Sequence, residues 1–294
     1  MPITSPWRAD FPGILALATE GQTYLDSAAT AQKPQAMLDS MLGYYAGGAA
    51  NVHRAQHLPG ERATRAFEAT RDKAARWLNA ASSEEIVFTR GTTESLNLLA
   101  YGLEPLFQAG DEIAISALEH HANLLPWQQL ALRQGLRLVV LPLDERGDID
   151  LEQATSLIGP RTRLLAISQL SNVLGRQQPV ARLVDLARAQ GALSVVDGAQ
   201  GAVHGRQDVQ ALGCDFYCFT GHKTYGPTGS GILWGKREWL EKLPPYEGGG
   251  EMIGTVSEDA ITYNDPPHRF EAGTPAIVEA VGLGAALDYM MELG

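Results

Sequence analysis

Between Glu85 and Phe219 the chain repeats one arrangement: a short strand-like run, a polar turn, then a longer stretch with helical spacing. Strands are predicted at Glu85–Thr89, Asp111–Ser116, Leu136–Leu141, Arg163–Ser168, Leu193–Asp197 and Asp215–Phe219. Helices are predicted at Thr93–Phe107, Pro126–Gln134 and Pro179–Gln190. Alternation of this kind leaves one fold class, α/β, with a mostly parallel sheet and helices on both faces. The flanks add a short arm over residues 1–20, a strand at Thr23–Asp26 and a helix opened by Pro34 and running to Tyr45. A helix at Pro59–Leu78 follows, in which Ala63, Phe67, Ala74 and Leu78 recur at helical spacing. Its arginines, Arg62, Arg65, Arg71 and Arg76, read as a solvated face. After a return strand at Ile232–Gly235 come a mobile glycine loop at Gly248–Met252 and a last helix over Pro275–Leu293, with Gly294 placed as its C-cap.

Ligands in such sheets collect beyond the carboxyl ends of the strands, so the residues there decide the chemistry. Thr89 is followed by Arg90-Gly91-Thr92-Thr93, backbone N–H groups and hydroxyls opening a helix: a phosphate site or an ordinary threonine cap. Ser116 is followed by Glu119-His120-His121, and Ser168 by Ser171-Asn172. His120 offers a flat face and a group that titrates near neutral pH. Neither histidine has a convincing third ligand, so no metal is expected. Asp197 ends an apolar strand and either caps the next turn or meets a cation such as a protonated ring nitrogen. Gln200 and Asn172 could bond ring substituents or simply satisfy their loops.

The last strand end carries Thr220-Gly221-His222-Lys223, one lysine among glycines and hydroxyls. A surface lysine needs no such setting. A lysine that forms a Schiff base does, because partial desolvation lowers the pKa of the amine. Phosphate site, ring-nitrogen carboxylate, flat histidine and reactive lysine are together the parts that hold pyridoxal phosphate. The small-residue loop Ser27-Ala28-Ala29-Thr30 would let a ligand approach the backbone.

Charge sets the remaining limits. Of the 294 residues, 23 are basic and 34 acidic, a net charge of −11. That argues against nucleic acid or an anionic membrane as partner. No apolar run approaches the roughly 18 residues of a membrane span, and the first eight residues do not form a signal peptide. The two cysteines, Cys214 and Cys218, sit on or beside one strand, too far apart to bridge easily. They read as buried residues of a cytoplasmic protein.

The segments Tyr24-Leu25-Asp26-Ser27-Ala28-Ala29-Thr30, Arg90-Gly91-Thr92-Thr93-Glu94-Ser95, Glu119-His120-His121-Ala122-Asn123, Val196-Asp197-Gly198-Ala199-Gln200, Gly221-His222-Lys223 and Arg269-Phe270-Glu271-Ala272-Gly273-Thr274-Pro275 run almost from end to end. Together they resemble the group II cysteine desulfurases and selenocysteine lyases, fold-type I pyridoxal-phosphate enzymes of the class-V aminotransferase type. The resemblance implies Lys223 as Schiff-base lysine and general base, His120 stacked on the ring, and Asp197 on the pyridinium nitrogen. It implies Gln200 and Asn172 at ring substituents or substrate, and Thr92, Thr93, Thr220 and His222 on the phosphate. Thr274 would reach the phosphate of a neighbouring subunit, implying a homodimer. His53, Arg54 and Ala28 would lie on the substrate side.

The family pattern continues with a small C-terminal domain that carries a nucleophilic cysteine. That domain is expected to be absent here, with residues 21–294 forming the large domain and residues 1–20 an arm that would join the small one. The implied reaction takes L-cysteine to L-alanine and hands sulfur to an acceptor protein, as in iron–sulfur cluster assembly. The alternatives are selenocysteine lyase, an aminotransferase or epimerase, or an inactive dimerising fragment.

Overall fold

The computed structural model describes residues 5–54, 56–257 and 260–293. Gly294 and the first four residues of the arm lie outside them. In chain order the elements are α1 (Pro12–Thr19), α2 (Gln35–Ala46), α3 (Leu58–Leu78), β1 (Ile86–Thr89), α4 (Thr92–Leu103), β2 (Glu112–Ser116), α5 (Leu125–Gln134) and β3 (Arg137–Leu141). There follow α6 (Leu151–Leu157), β4 (Thr162–Ser168), α7 (Val180–Ala189), β5 (Leu193–Asp197), α8 (Val209–Leu212), β6 (Phe216–Thr220) and β7 (Gly231–Gly235). The chain ends with α9 (Arg237–Leu240), β8 (Ile253–Val256), β9 (Ile261–Tyr263) and α10 (Ile277–Leu293).

Seven strands form one sheet in the order β1-β7-β6-β5-β4-β2-β3. The pairs β6–β5, β5–β4, β4–β2 and β2–β3 are parallel. Only β7 runs the other way, antiparallel to both β6 and β1. Reversal at β7 turns β1 back into the common direction. The carboxyl ends of β1, β2, β4, β5 and β6 therefore share one edge.

Successive residues of the central strands face opposite layers. Tyr217 and Phe219 pack into a core with α3, α7 and α10, while Phe216 and Cys218 pack into a second core with α4 and α5. Burial of each such side chain stabilises the fold by about 1.5–3 kcal/mol. This two-sided burial holds the strand ends rigid and leaves their polar followers outside the core.

Four expectations need correction. Thr23–Asp26 forms no strand: Leu25 is 90% exposed, and no strand is paired with the segment. Local bonds hold it instead, with the Tyr24 hydroxyl donating to the Thr30 carbonyl at 2.8 Å. Arg71 is buried, not solvated, because it falls between Phe67 and Ala74 on the inner face of α3. Pro34 is the N-cap of α2 and not its first residue. The glycine loop at 248–252 runs directly into the β8–β9 hairpin, which its sequence did not announce. The arm turns once at Arg8–Asp10 before α1 and packs Phe11 against Tyr225 and Tyr289.

Candidate active site

The five strand ends open into one cleft of about 830 Å³, a volume typical of small-molecule sites. Among its lining are Ala28, Thr92, Thr93, His120, Asn172, Asp197, Gln200, Thr220, His222 and Lys223. Thr274, His53 and Arg54 do not line it. Thr274 is exposed. His53 Nε2 lies 2.8 Å from Glu68 Oε1, and Arg54 Nε lies 3.0 Å from Glu251 Oε1.

Lys223 stands in a closed turn beyond β6. Gly221 N–H donates to Ser230 O, Gly226 N–H to Gly221 O, and the Thr224 hydroxyl to Thr220 O. A side chain at Gly221 would strike Ser230 Oγ at 2.0 Å, so the turn requires glycine there. The peptide that joins His222 to Lys223 is pinned from the N-terminal side. The His222 carbonyl accepts from Ala31 N–H (3.0 Å), Thr30 Oγ1 (3.2 Å) and Lys33 Nζ (2.9 Å). Burial brings the Lys33 ammonium down to about 8. The Lys223 amine is also lowered, by burial, with the Asp197 charge opposing. A less basic amine has a larger neutral fraction at neutral pH, which a nucleophile or base needs.

Asp197, the last residue of β5, is buried beside that amine. Its Oδ1 accepts from Ala199 N–H at 2.9 Å. Burial raises its pKa, and the Ala199 donor and the Lys223 and His120 charges pull back only part of the rise. At the end of β2, His120 Nδ1 accepts from Ala122 N–H at 3.1 Å, so the neutral ring carries its proton on Nε2. Gln200 donates from Nε2 to the Ala28 carbonyl at 2.8 Å, tying the small-residue loop to the cleft floor.

At the end of β1 the backbone of Gly91 takes φ +149° and caps α4. A side chain at the facing Gly231 would lie 2.4 Å from the Gly91 Cα. That close approach leaves the first turn of α4 open to the cleft. Thr92 Oγ1 is buried there and, among the described residues, is the side-chain N or O atom left without a hydrogen-bond partner. Such an orphan costs about 1–3 kcal/mol unless something outside the chain bonds it. Thr92, Thr93, Thr220, His222 and the helix terminus are donors suited to a phosphate. An unpaired buried carboxylate, a less basic lysine and a flat histidine complete the set, and these residues fit pyridoxal phosphate.

Three anchors escaped the sequence reading: Lys33 and Thr30 on the His222 carbonyl, and the half-buried Glu119. Lys33 and Thr30 reach a carbonyl 189 and 192 residues away, and Glu119 joins its near neighbours Ser116 and Asn123 to Ser168, 49 residues on. A further cluster lies outside the cleft, where His53, Glu68 and His268 bring ligand atoms within 4.8 Å of one another. Arg71 Nε and Nη2 already donate to both Glu68 oxygens, so that carboxylate is paired with a guanidinium.

A sequence profile of the aminotransferase class-V family matches residues 23–294. The chain is 65% identical over 293 residues to a probable cysteine desulfurase of Pseudomonas aeruginosa, covering 100% of this chain and 73% of that protein. It superposes on the crystal structure of the cysteine desulfurase CsdA from Escherichia coli with a TM-score of 0.90 and 46% identity, covering 99% of this chain and 72% of that one. A mutant of the enzyme C-DES with glycine covalently linked to its PLP cofactor superposes with a TM-score of 0.85 at 26% identity, covering 99% and 75%.

Proposed function

Because the chain belongs to the class-V aminotransferase family, in its cysteine desulfurase branch, we propose that it converts L-cysteine to L-alanine and passes the sulfur to a thiol acceptor. The observation that carries this reading is the cleft itself, where a less basic lysine, an unpaired buried carboxylate and an orphan hydroxyl meet at five strand ends. Pyridoxal phosphate, the cofactor of this family, supplies when bound an electron sink for the charge left at the substrate Cα.

The residues of the chain divide the remaining work. Thr92, Thr93, Thr220 and His222 would hold the phosphate, with the α4 terminus behind them. Asp197 would face the ring nitrogen, where a cation keeps its carboxyl ionised. Lys223 takes the Cα proton, and the three bonds on the His222 carbonyl keep its turn in place. His120 would lie against the ring, with its Nε2 proton available for transfer. Asn172 and the second N–H of Gln200 line the cleft and would meet ring oxygen or substrate carboxylate.

The sulfur balance requires a thiol: cysteine plus a thiol gives alanine plus that thiol's persulfide. Cys214 and Cys218 are both buried, outside the cleft lining, and pushed up by burial, Cys214 to about 12. Neither serves as the acceptor, so the thiol comes from outside residues 1–294, and the sulfur then passes to an acceptor protein, as delivery to iron–sulfur clusters would use. In a homodimer Thr274 would reach the phosphate of the neighbouring subunit, while His53 and Arg54 would lie on the substrate side. Unpaired thiols suit the reducing cytoplasm. No described helix is long and apolar enough to cross a membrane. The same cleft carries one second reading, selenocysteine lyase, because selenide leaves with less help than sulfide.

The test supplies the loaded protein with L-cysteine and dithiothreitol and measures alanine and sulfide. Equal amounts are expected, falling by about 10²–10⁴-fold in Lys223→Ala. Alanine formed only from selenocysteine selects the second reading, and alanine from neither substrate rejects both.

A further inference from the structure

Glu119 is half-buried just before His120, its carboxylate enclosed by its bonding partners, where no step of the reaction uses it. Its carboxylate accepts four hydrogen bonds from three elements. Oε1 takes Ser116 Oγ–H at 2.5 Å, from the end of β2, and Ser168 N–H at 3.0 Å, from the end of β4. Oε2 takes Ser168 Oγ–H at 2.6 Å and Asn123 Nδ2–H at 2.5 Å, the latter from the turn that carries His120. Asn123 in turn accepts from the Trp127 indole N–H at 2.9 Å, and both are fully buried. Ser168 is paired in register with Asp197 on β5. One carboxylate thus ties the His120 turn to the strand beside Asp197.

We propose that Glu119 is a positioning residue, which sets the His120 ring over the cleft in register with Asp197. Four donors on one carboxylate make the arrangement specific to an acid. Ser168 N–H and the Asn123 amide can only donate, one to each oxygen. A glutamine in either orientation sets its own NH₂ against one of them. Burial pushes the Glu119 carboxyl up to about 7 while the donors from Ser116, Ser168 and Asn123 pull down, so the bonds hold a charge that desolvation disfavours.

This rests on the desulfurase reading for its kinetic part but not for its structural part, and the test separates the two. In cofactor-free protein, amide hydrogen exchange at residues 120–124 is expected to rise about tenfold in Glu119→Gln, with β5 and β6 unchanged. In protein loaded with pyridoxal phosphate, the variant is expected to alter the visible circular dichroism of the bound cofactor. It should lower kcat about tenfold and move KM for cysteine less than twofold. On a His120→Ala background the same change should cost nothing further in kcat. Exchange that is unchanged at 120–124, or that rises throughout the protein, overturns the proposal. So do losses that multiply in the double variant. If Glu119→Gln does not fold, Ser116→Ala, which removes one of the four bonds, is carried through the same measurements. Failure of wild-type protein to bind the cofactor counts against the desulfurase reading alone, since the exchange experiment still decides Glu119.

Discussion

Asp197 and Glu271 are both carboxylates buried against the sheet, and burial pushes both toward the neutral form. In Glu271 that push is outweighed. Arg71 donates to its two oxygens at 2.7 and 2.9 Å, Phe88 N–H adds a third bond at 2.8 Å, and the carboxyl ends below the usual range. In Asp197 the push wins: among the described residues one backbone N–H is its direct donor, and its pKa is raised. The difference separates two uses of a buried charge. Glu271 is complete within the chain and fastens the segment before α10 to α3 and β1. Asp197 makes no direct ion pair among the described residues, and the Lys223 and His120 charges offset only part of its burial, so it keeps a place for a further cation.

The largest effect is expected where the complete pair is broken. Arg71→Ala leaves Glu271 and Glu68 without their guanidinium, and loss of one partner of a buried pair costs about 3–5 kcal/mol. Urea unfolding measures it as a lower midpoint at unchanged slope. Replacing Arg71 by Leu together with Glu271→Gln and Glu68→Gln should recover most of the loss, since no charge is then stranded. A midpoint unmoved in Arg71→Ala would mean that Glu271 does not depend on the pair, and the contrast with Asp197 would collapse.

Asp197 should behave in the opposite sense. Asp197→Asn removes a charge that is costly without its partner, so the cofactor-free protein should become more stable, with a higher midpoint by about 1 kcal/mol or more. The same substitution should lower alanine formation by the loaded protein about 10²–10³-fold, the scale of losing one aligned electrostatic contact. A variant that is both less stable and fully active would make Asp197 an ordinary structural acid.

The same distinction governs what could be read from the sequence. Asp197, Lys223, His120 and Thr92 were legible because a parallel sheet buried on both faces forces its polar followers to one edge. Strand ends can be found from apolar runs alone. Arg71 looked like its neighbours Arg62, Arg65 and Arg76, yet it is four residues after Phe67 and three before Ala74, which puts it on the buried face of α3. Helical spacing carried that signal, but its partner Glu271 is 200 residues away, and no local pattern links the two. Lys33 falls in the same class, and so does the bond of Glu119 to Ser168, 49 residues on, although its other partners are near neighbours. Thr23–Asp26 failed for a different reason: its residues suit a strand, but no neighbouring strand is there to pair with it.

The smallest effect is the pH dependence of stability, and its sign distinguishes the two kinds of acid. Burial raises the Glu68 carboxyl, but bonds from His53 and Arg71 bring it down to about 2, and Glu271 is lowered likewise. Their contribution is fully present above the unfolded value of about 4.3 and is lost as pH falls toward the folded values. Asp197 is raised, so between its unfolded value, about 3.9, and its higher folded value the native state binds the extra proton. Its cost therefore grows as pH rises through that interval. In cofactor-free protein the stabilisation by Asp197→Asn should be near zero at pH 3 and grow as pH rises. The destabilisation by Glu68→Gln should be full at neutral pH and shrink toward pH 2. Unfolding midpoints across pH 2–8 measure both. Two curves with the same slope would mean that the carboxylates differ in place but not in kind, whereas opposite slopes would show that Asp197 carries its charge at the fold's expense until a cation joins it.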